Sequence, residues 1–137
     1  MRAVLDTVVF VRALINPKSR WGRLIFGAAG RFTIVVSPEI IREIVEVLYR
    51  SSLRERYPEI DNVRVEKVLA VLGAAEVALP NERISVCRDP SGDKFFECAV
   101  AGGASLIVSE DKDILAVGEY RGIRTITTEE FAALLQA

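Results

Sequence analysis

The residues of this chain that could do chemistry are its carboxylates. Its 137 residues include no histidine. That removes Ser-His-Asp and Cys-His nucleophile systems, histidine acid–base pairs and histidine-ligated metals. Cys87 and Cys98 are the only cysteines, too few for a zinc ribbon or a disulfide framework. They suit a reducing compartment, where a sparse cysteine is usually a small core residue. Catalysis here would have to come from carboxylates, Lys and Arg, hydroxyls, or a metal held by oxygen.

Four acids stand out by position. Asp6 closes the apolar run RAVLD, and Asp111 comes after the run SLIV with two residues between. In open parallel sheets ligands bind beyond the carboxyl ends of the strands, so both acids sit where a site is expected. Asp93 opens the helix that precedes SLIV, where a negative charge is favoured by the helix dipole. The fourth is Glu43. At roughly 100° per residue it falls about 40° outside the apolar stripe of its helix, beside Val47, while Arg42 and Glu46 point further into solvent. Gathered at one end of a sheet, such carboxylates would repel and raise one another's pKa. A divalent ion resolves this, because Mg²⁺ and Mn²⁺ prefer carboxylate and water ligands and bind phosphates alongside one or two acids. Such a site can activate water and stabilise a phosphodiester transition state.

Taken singly, each of these acids is more readily a surface charge or a helix cap than a ligand, since clustered acids are only probabilistic markers of a site. Asp89 in the DPSG turn reads as a turn former. Glu97, one turn after Asp93, is balanced between a supporting partner and a solvated residue. Glu110 and Asp113 flank Asp111 as surface charge or as auxiliary ligands.

The elements that must position these acids are short. Residues 2–6 and 32–36, then 105–108 and 124–127, read as strands, with a short further one at 76–79. Helices are expected over 7–15, 21–29, 38–49, 62–72, 93–101 and from 128 onward. Asn16-Pro17 is a break, Ser37-Pro38 a helix start, Gly73 and Gly102-Gly103 stops, and Thr127 or Thr128 a cap. Short helices fit 50–60 and the neighbourhood of Ile114. Strands of four or five apolar residues alternating with helices predict an α/β protein, a three-layer α/β/α sandwich on a parallel four- to five-stranded sheet. With 50% hydrophobic residues, 27% charged and a net charge of −1, residues 1–137 read as one globular domain with no general affinity for polyanions. The apolar N-terminus is broken by Asp6 and Arg12 far short of a membrane span and lacks a cleavage site. A cytoplasmic location is expected.

Four segments together resemble the PIN-domain ribonucleases: VLDTVVFVRALI, VVSPEIIREIVEVLYR, CRDPSGDKFFECAVAGGASLIVSEDKDIL and YRGIRTITTEEFAALL. The match is to the prokaryotic VapC-like branch, toxins of toxin–antitoxin pairs, and it spans nearly the whole chain in order. The resemblance implies a compact parallel-sheet sandwich and metal-dependent endonuclease activity on RNA. The family's acids map onto Asp6, Glu43, Asp93 and Asp111, and Thr7 matches the hydroxyl residue that supports the first of them. Two departures are visible. Val8 stands where the family usually has Asn, and Ser109-Glu110 replaces Thr-Gly, adding a negative charge at the mouth of the site.

The expected reaction is therefore attack of water on an RNA phosphodiester, with Asp6 and Asp93 as direct ligands of Mg²⁺ or Mn²⁺. Glu43 and Asp111 would act through water or a second ion, with Thr7, Glu97 and Asp113 supporting. Arg12, Lys18, Arg20, Arg23, Lys94 and Lys112 are candidates for phosphate contacts, each also an ordinary surface charge. Trp21 could stack a base or pack an interface. A cognate antitoxin and a homodimer follow from the resemblance. The rival from another class is a non-catalytic interaction module with a degraded site, marked by Val8. Phosphoryl transfer of the haloacid-dehalogenase kind and a receiver domain both need a second acid near the first, which Val8 denies.

Overall fold

A computed structural model describes residues 1–28 and 30–136. The strands are β1 (Arg2–Leu5), β2 (Thr33–Val36), β3 (Glu76–Val77), β4 (Leu106–Val108), β5 (Glu119–Tyr120) and β6 (Ile123–Ile126). They form a single sheet in the order β3-β2-β1-β4-β6-β5. The first five in that order pair in parallel, as expected. The sixth, β5, is an antiparallel edge that the sequence reading did not include. It folds back on β6 through Arg121-Gly122, both at positive φ (49° and 81°), the backbone of a tight two-residue hairpin. An Arg-Gly pair between Tyr120 and Ile123 carries little of the usual Asn-Gly hairpin signature, so this strand leaves no clear trace in the sequence.

The helices are α1 (Thr7–Ile15), α2 (Arg20–Gly22), α3 (Pro38–Leu48), α4 (Ser51–Arg56), α5 (Asn62–Ala74), α6 (Asp93–Gly102), α7 (Lys112–Leu115) and α8 (Thr128–Gln136). Their ends obey local chemistry. Ser37 accepts the Ile40 N–H through its hydroxyl at 3.3 Å with Pro38 in the first turn, and Ile40, Ile44 and Leu48 then bury one face of α3. Thr127 and Glu130 exchange reciprocal hydrogen bonds, each 3.1 Å, a capping box that makes Thr127 the cap of α8. Gly103 stops α6 in the left-handed region at φ 63°, as read from the sequence. Gly73 does not stop α5, which runs on to Ala74. A helical glycine costs only about 1 kcal/mol, and Val65, Val68 and Leu72 anchor the helix in the core. The helix expected over 21–29 is instead the single turn α2 followed by a π-helical turn, Arg23–Gly27. The backbone stays helical through Gly22 (φ −64°, ψ −43°), and what changes there is the hydrogen-bond register. Gly22 is also obligatory, since a Cβ there would lie 2.0 Å from the Pro17 carbonyl oxygen. The end of that predicted helix, Ala29, lies outside the described residues.

Consecutive residues Ala3, Val4 and Leu5, and again Leu106, Ile107 and Val108, are all buried, so helices cover both faces of the central strands. This is the three-layer sandwich. Phe10, Phe96 and Phe131 fill the core with Ile40, Ile44 and Leu48. Leu5 pairs with Val108, and the residues that follow, Asp6 and Ser109, leave the sheet side by side.

Candidate metal centre

Asp6 is the buried acid of the site, 5% exposed. It caps α1, accepting the Val8 N–H on Oδ1 at 3.3 Å, and its Oδ2 accepts the Ser109 hydroxyl at 2.7 Å. Ser109 in turn accepts the Asp111 N–H at 2.9 Å. Burial holds the Asp6 carboxyl above the usual carboxylate range. The Ser109 hydroxyl and the Val8 N–H pull it back, and the charges of Asp111 and Glu43 push it up again.

These acids share a cleft of about 410 Å³. Asp6 lies at the end of β1, Glu43 comes from α3, Asp111 caps α7 by accepting the N–H groups of Asp113 and Ile114, and Asp113 and Asp89 add two more carboxylates. Val8, Val47 and Phe95 supply apolar wall, and Arg50 and Lys94 the cationic groups. Lys94 is bound to Glu43, Nζ to Oε2, at 2.8 Å. Arg50 is paired more loosely with Glu46 at 3.5 Å. Among the described residues no three acidic side chains are already drawn around a common point. The donor set is nevertheless all carboxylate oxygen, which suits Mg²⁺ or Mn²⁺, ions that keep several waters and take one or two acids directly.

Of the four acids that the sequence reading brings together, the structure brings three. Asp93 does not line this cleft. Its Oδ1 accepts the N–H groups of Val86 (3.1 Å) and Cys87 (2.8 Å), and Glu97, one turn on, accepts the N–H of Ile84 at 3.0 Å. The two acids pin the irregular stretch before α6, whose backbone has no strand partner to satisfy it. Glu97 likewise lies off the cleft, in neighbouring cavities.

The PIN domain family profile matches residues 2–113. The chain belongs to the PIN-domain family. An uncharacterized protein of Methanocaldococcus jannaschii, MJ1680, is 34% identical to it over 121 residues, covering 85% of this chain and 75% of the relative. VapBC2 from Rickettsia felis, solved bound to a DNA fragment from their promoter, matches with a TM-score of 0.59 at 15% identity, over 93% of this chain and 98% of that one. PAE2754 from Pyrobaculum aerophilum matches at 0.58 with 18% identity, over 99% and 90%. At those identities the two solved structures speak for the fold alone.

Among the basic residues picked from the sequence of this PIN domain, only Lys94 lines the cleft. Arg12 and Arg20 stand over the Trp21 ring, 4.7 and 4.6 Å from its centroid. Lys18, Arg23 and Lys112 are exposed. Arg12 lies one helical turn beyond Val8, on the same face of α1, so the Trp21 cluster leads off from the cleft's edge. Glu110, expected at the mouth of the site, does not line it and instead accepts the Thr128 hydroxyl at the start of α8. Thr7 is buried with a hydroxyl that finds no partner among the described residues. Sequence reasoning missed Arg50 and the part played by Ser109. It also read Asp89 only as a turn former, which it is, accepting the Ser91 N–H at 3.0 Å, while it also lines the cleft. The spacing of Ser109 two residues before Asp111, at a strand end beside Asp6, was the available signal.

Proposed function

We propose that this PIN domain is a metal-dependent endoribonuclease and the toxin of a toxin–antitoxin pair. The observation that carries the reading is that Asp6, Glu43 and Asp111 line one cleft at the carboxyl ends of β1 and β4. Asp6 and Asp111 would hold Mg²⁺ or Mn²⁺, directly or through water, with Glu43 as the third acid. The ion would supply an activated water and stabilisation of the leaving oxygen. Ser109 orients the Asp6 carboxylate and favours its ionised form. Asp113 and Asp89 deepen the negative field that draws a cation in. Arg50 and Lys94 are placed to hold phosphate oxygens, and Arg12, Arg20 and Trp21 to take the strand beyond the cleft. The fold shared with VapBC2 supports a protein antitoxin as partner. A homodimer is the expected assembly, to be checked by light scattering. No helix among the described residues is long and apolar enough to cross a membrane.

The test is cleavage of single-stranded RNA with Mg²⁺, with Mn²⁺ and with chelator, for wild type, Asp6→Asn and Asp111→Asn. Cleavage that needs the metal and falls about a hundredfold or more in both variants supports the reading. Equal cleavage by all three proteins sinks it. Metal uptake without cleavage would point to the non-catalytic module, a reading that the apolar Val8 in the cleft wall favours.

A further inference from the structure

Lys94 is held more completely than any other cation in the cleft. Its ammonium donates to Glu43 Oε2 at 2.8 Å and to the Ser91 carbonyl oxygen, and it lies 5.1 Å from the centre of the Phe95 ring. The side chain is only 13% exposed, against 35% for Glu43. An ammonium that has lost most of its water needs such partners, and it has taken Glu43, one of the three acids that the reading above gives to the metal. Among the described residues neither Asp6 nor Asp111 has an ion-pair partner. Among these three the charge balance is uneven: Glu43 is neutralised from within the chain, and Asp6 and Asp111 are left with only hydrogen-bond donors.

Resting on the metal-dependent reading above, we propose that Lys94 is a tethered cation that competes with the divalent ion for Glu43 and so sets the affinity of the site. Metal binding and release of the Lys94 ammonium are then one event. While the ion pair is closed, Glu43 offers its Oε2 to a single positive charge and stays out of a shared ligand set. When a doubly charged ion takes Glu43, the ammonium is left in the same cleft without its anion, and a phosphodiester oxygen is the partner that restores its balance. Substrate and metal would thereby help each other to bind, through a residue that ligates neither in the resting protein.

A merely structural ion pair makes a different prediction. Breaking it would change stability and leave the metal's access to Glu43 alone. The experiment is calorimetric titration of Mn²⁺ into the whole chain, without RNA, for wild type, Lys94→Met, Lys94→Arg, Glu43→Gln and the double variant Glu43→Gln/Lys94→Met. Circular dichroism checks the fold of each, and Lys94→Gln replaces Lys94→Met if that variant does not fold. Lys94→Met is expected to bind Mn²⁺ about fivefold more tightly than wild type, the scale of a part-buried ion pair. Lys94→Arg, which keeps the charge, shows a smaller gain. In the Glu43→Gln background the gain disappears, which separates competition for that carboxylate from a general change in charge. Equal or weaker binding by Lys94→Met overturns the proposal, as does a gain that persists at full size without Glu43. If the folded wild type and every variant take up no Mn²⁺, the metal-dependent reading fails and takes this one with it. If wild type binds and Lys94→Met binds equally, only the assignment of Lys94 fails.

Discussion

Ser109 donates a hydrogen bond from its hydroxyl to Oδ2 of Asp6 across 2.7 Å, and both residues are buried where β1 and β4 leave the sheet. The same hydroxyl accepts the Asp111 N–H, so one serine sets the orientation of two of the cleft's acids. Replacing Ser109 by Ala leaves a buried carboxylate oxygen and a backbone N–H without this partner, a loss of roughly 1–3 kcal/mol. Urea unfolding at pH 7 is expected to show it, and Ser109→Thr should recover most of the stability if its methyl fits. An unchanged midpoint in Ser109→Ala would mean that the contact carries no weight.

The pH dependence of stability isolates Asp6. Its carboxyl is raised in the folded protein from a usual value of 3.8, first by burial and then by Asp111 and Glu43. The folded state therefore keeps this proton more readily than the unfolded chain. The stability from Asp6 is fully present below about pH 4 and is lost as pH rises through the raised value. Asp6→Asn cannot ionise, so the metal-free variant, although it gives up one of the two acceptor oxygens, should gain on wild type as pH rises through that window. Mg²⁺ or Mn²⁺ should raise the melting temperature of wild type and leave Asp6→Asn unmoved. Parallel pH profiles of the two metal-free proteins would contradict the assignment.

Asp93 and Asp111 should part company. Asp93 accepts two backbone N–H groups of the stretch before α6, so Asp93→Ala should cost about 1–3 kcal/mol in unfolding experiments by stranding them. The folded remainder should keep its affinity for Mn²⁺. Asp111→Asn should do the reverse, staying folded, since an Asn also caps a helix, while losing metal affinity. Calorimetry and urea titration on the pair check both halves. Loss of metal binding in Asp93→Asn, which keeps an acceptor for both N–H groups, would return Asp93 to the ligand set.

Much of this was legible in the residues, and the gaps have a pattern. The strand-to-helix step at Leu5-Asp6-Thr7 and the start of α3 at Ser37-Pro38 follow from caps and apolar periodicity, which are local. Glu43 was placed at the edge of its helix's apolar stripe by the same periodicity, and the cleft does include it. Its ion pair with Lys94, 51 residues on in the chain, has no local signature. Asp93 shows the limit most clearly. The first residue of a helix is a favourable place for an acid whether it faces a ligand or a neighbouring backbone. The choice was made by the irregular path of residues 84–87, which has no periodicity to read. The edge strand β5 escaped for a related reason: its hairpin turns on Arg121 and Gly122, both at positive φ, a conformation that only the tertiary setting fixes at an arginine.

Beyond the cleft, Arg12 and Arg20 over the Trp21 ring make a compact basic and aromatic surface on an otherwise balanced chain. Both arginines are exposed residues, and stacking on the indole restrains their guanidiniums without consuming the hydrogen-bond donors. If RNA runs from the cleft over this surface, each arginine should neutralise about one phosphate. Arg12→Met and Arg20→Met should then weaken binding of single-stranded RNA and each lower the slope of log affinity against log salt by roughly 0.7. Fluorescence anisotropy in chelator across a range of KCl concentrations measures this without cleavage. Mn²⁺ affinity should stay as it is, because neither residue lines the cleft. Slopes identical to wild type in both variants would take the RNA off this face and leave Arg50 and Lys94 as the remaining phosphate contacts.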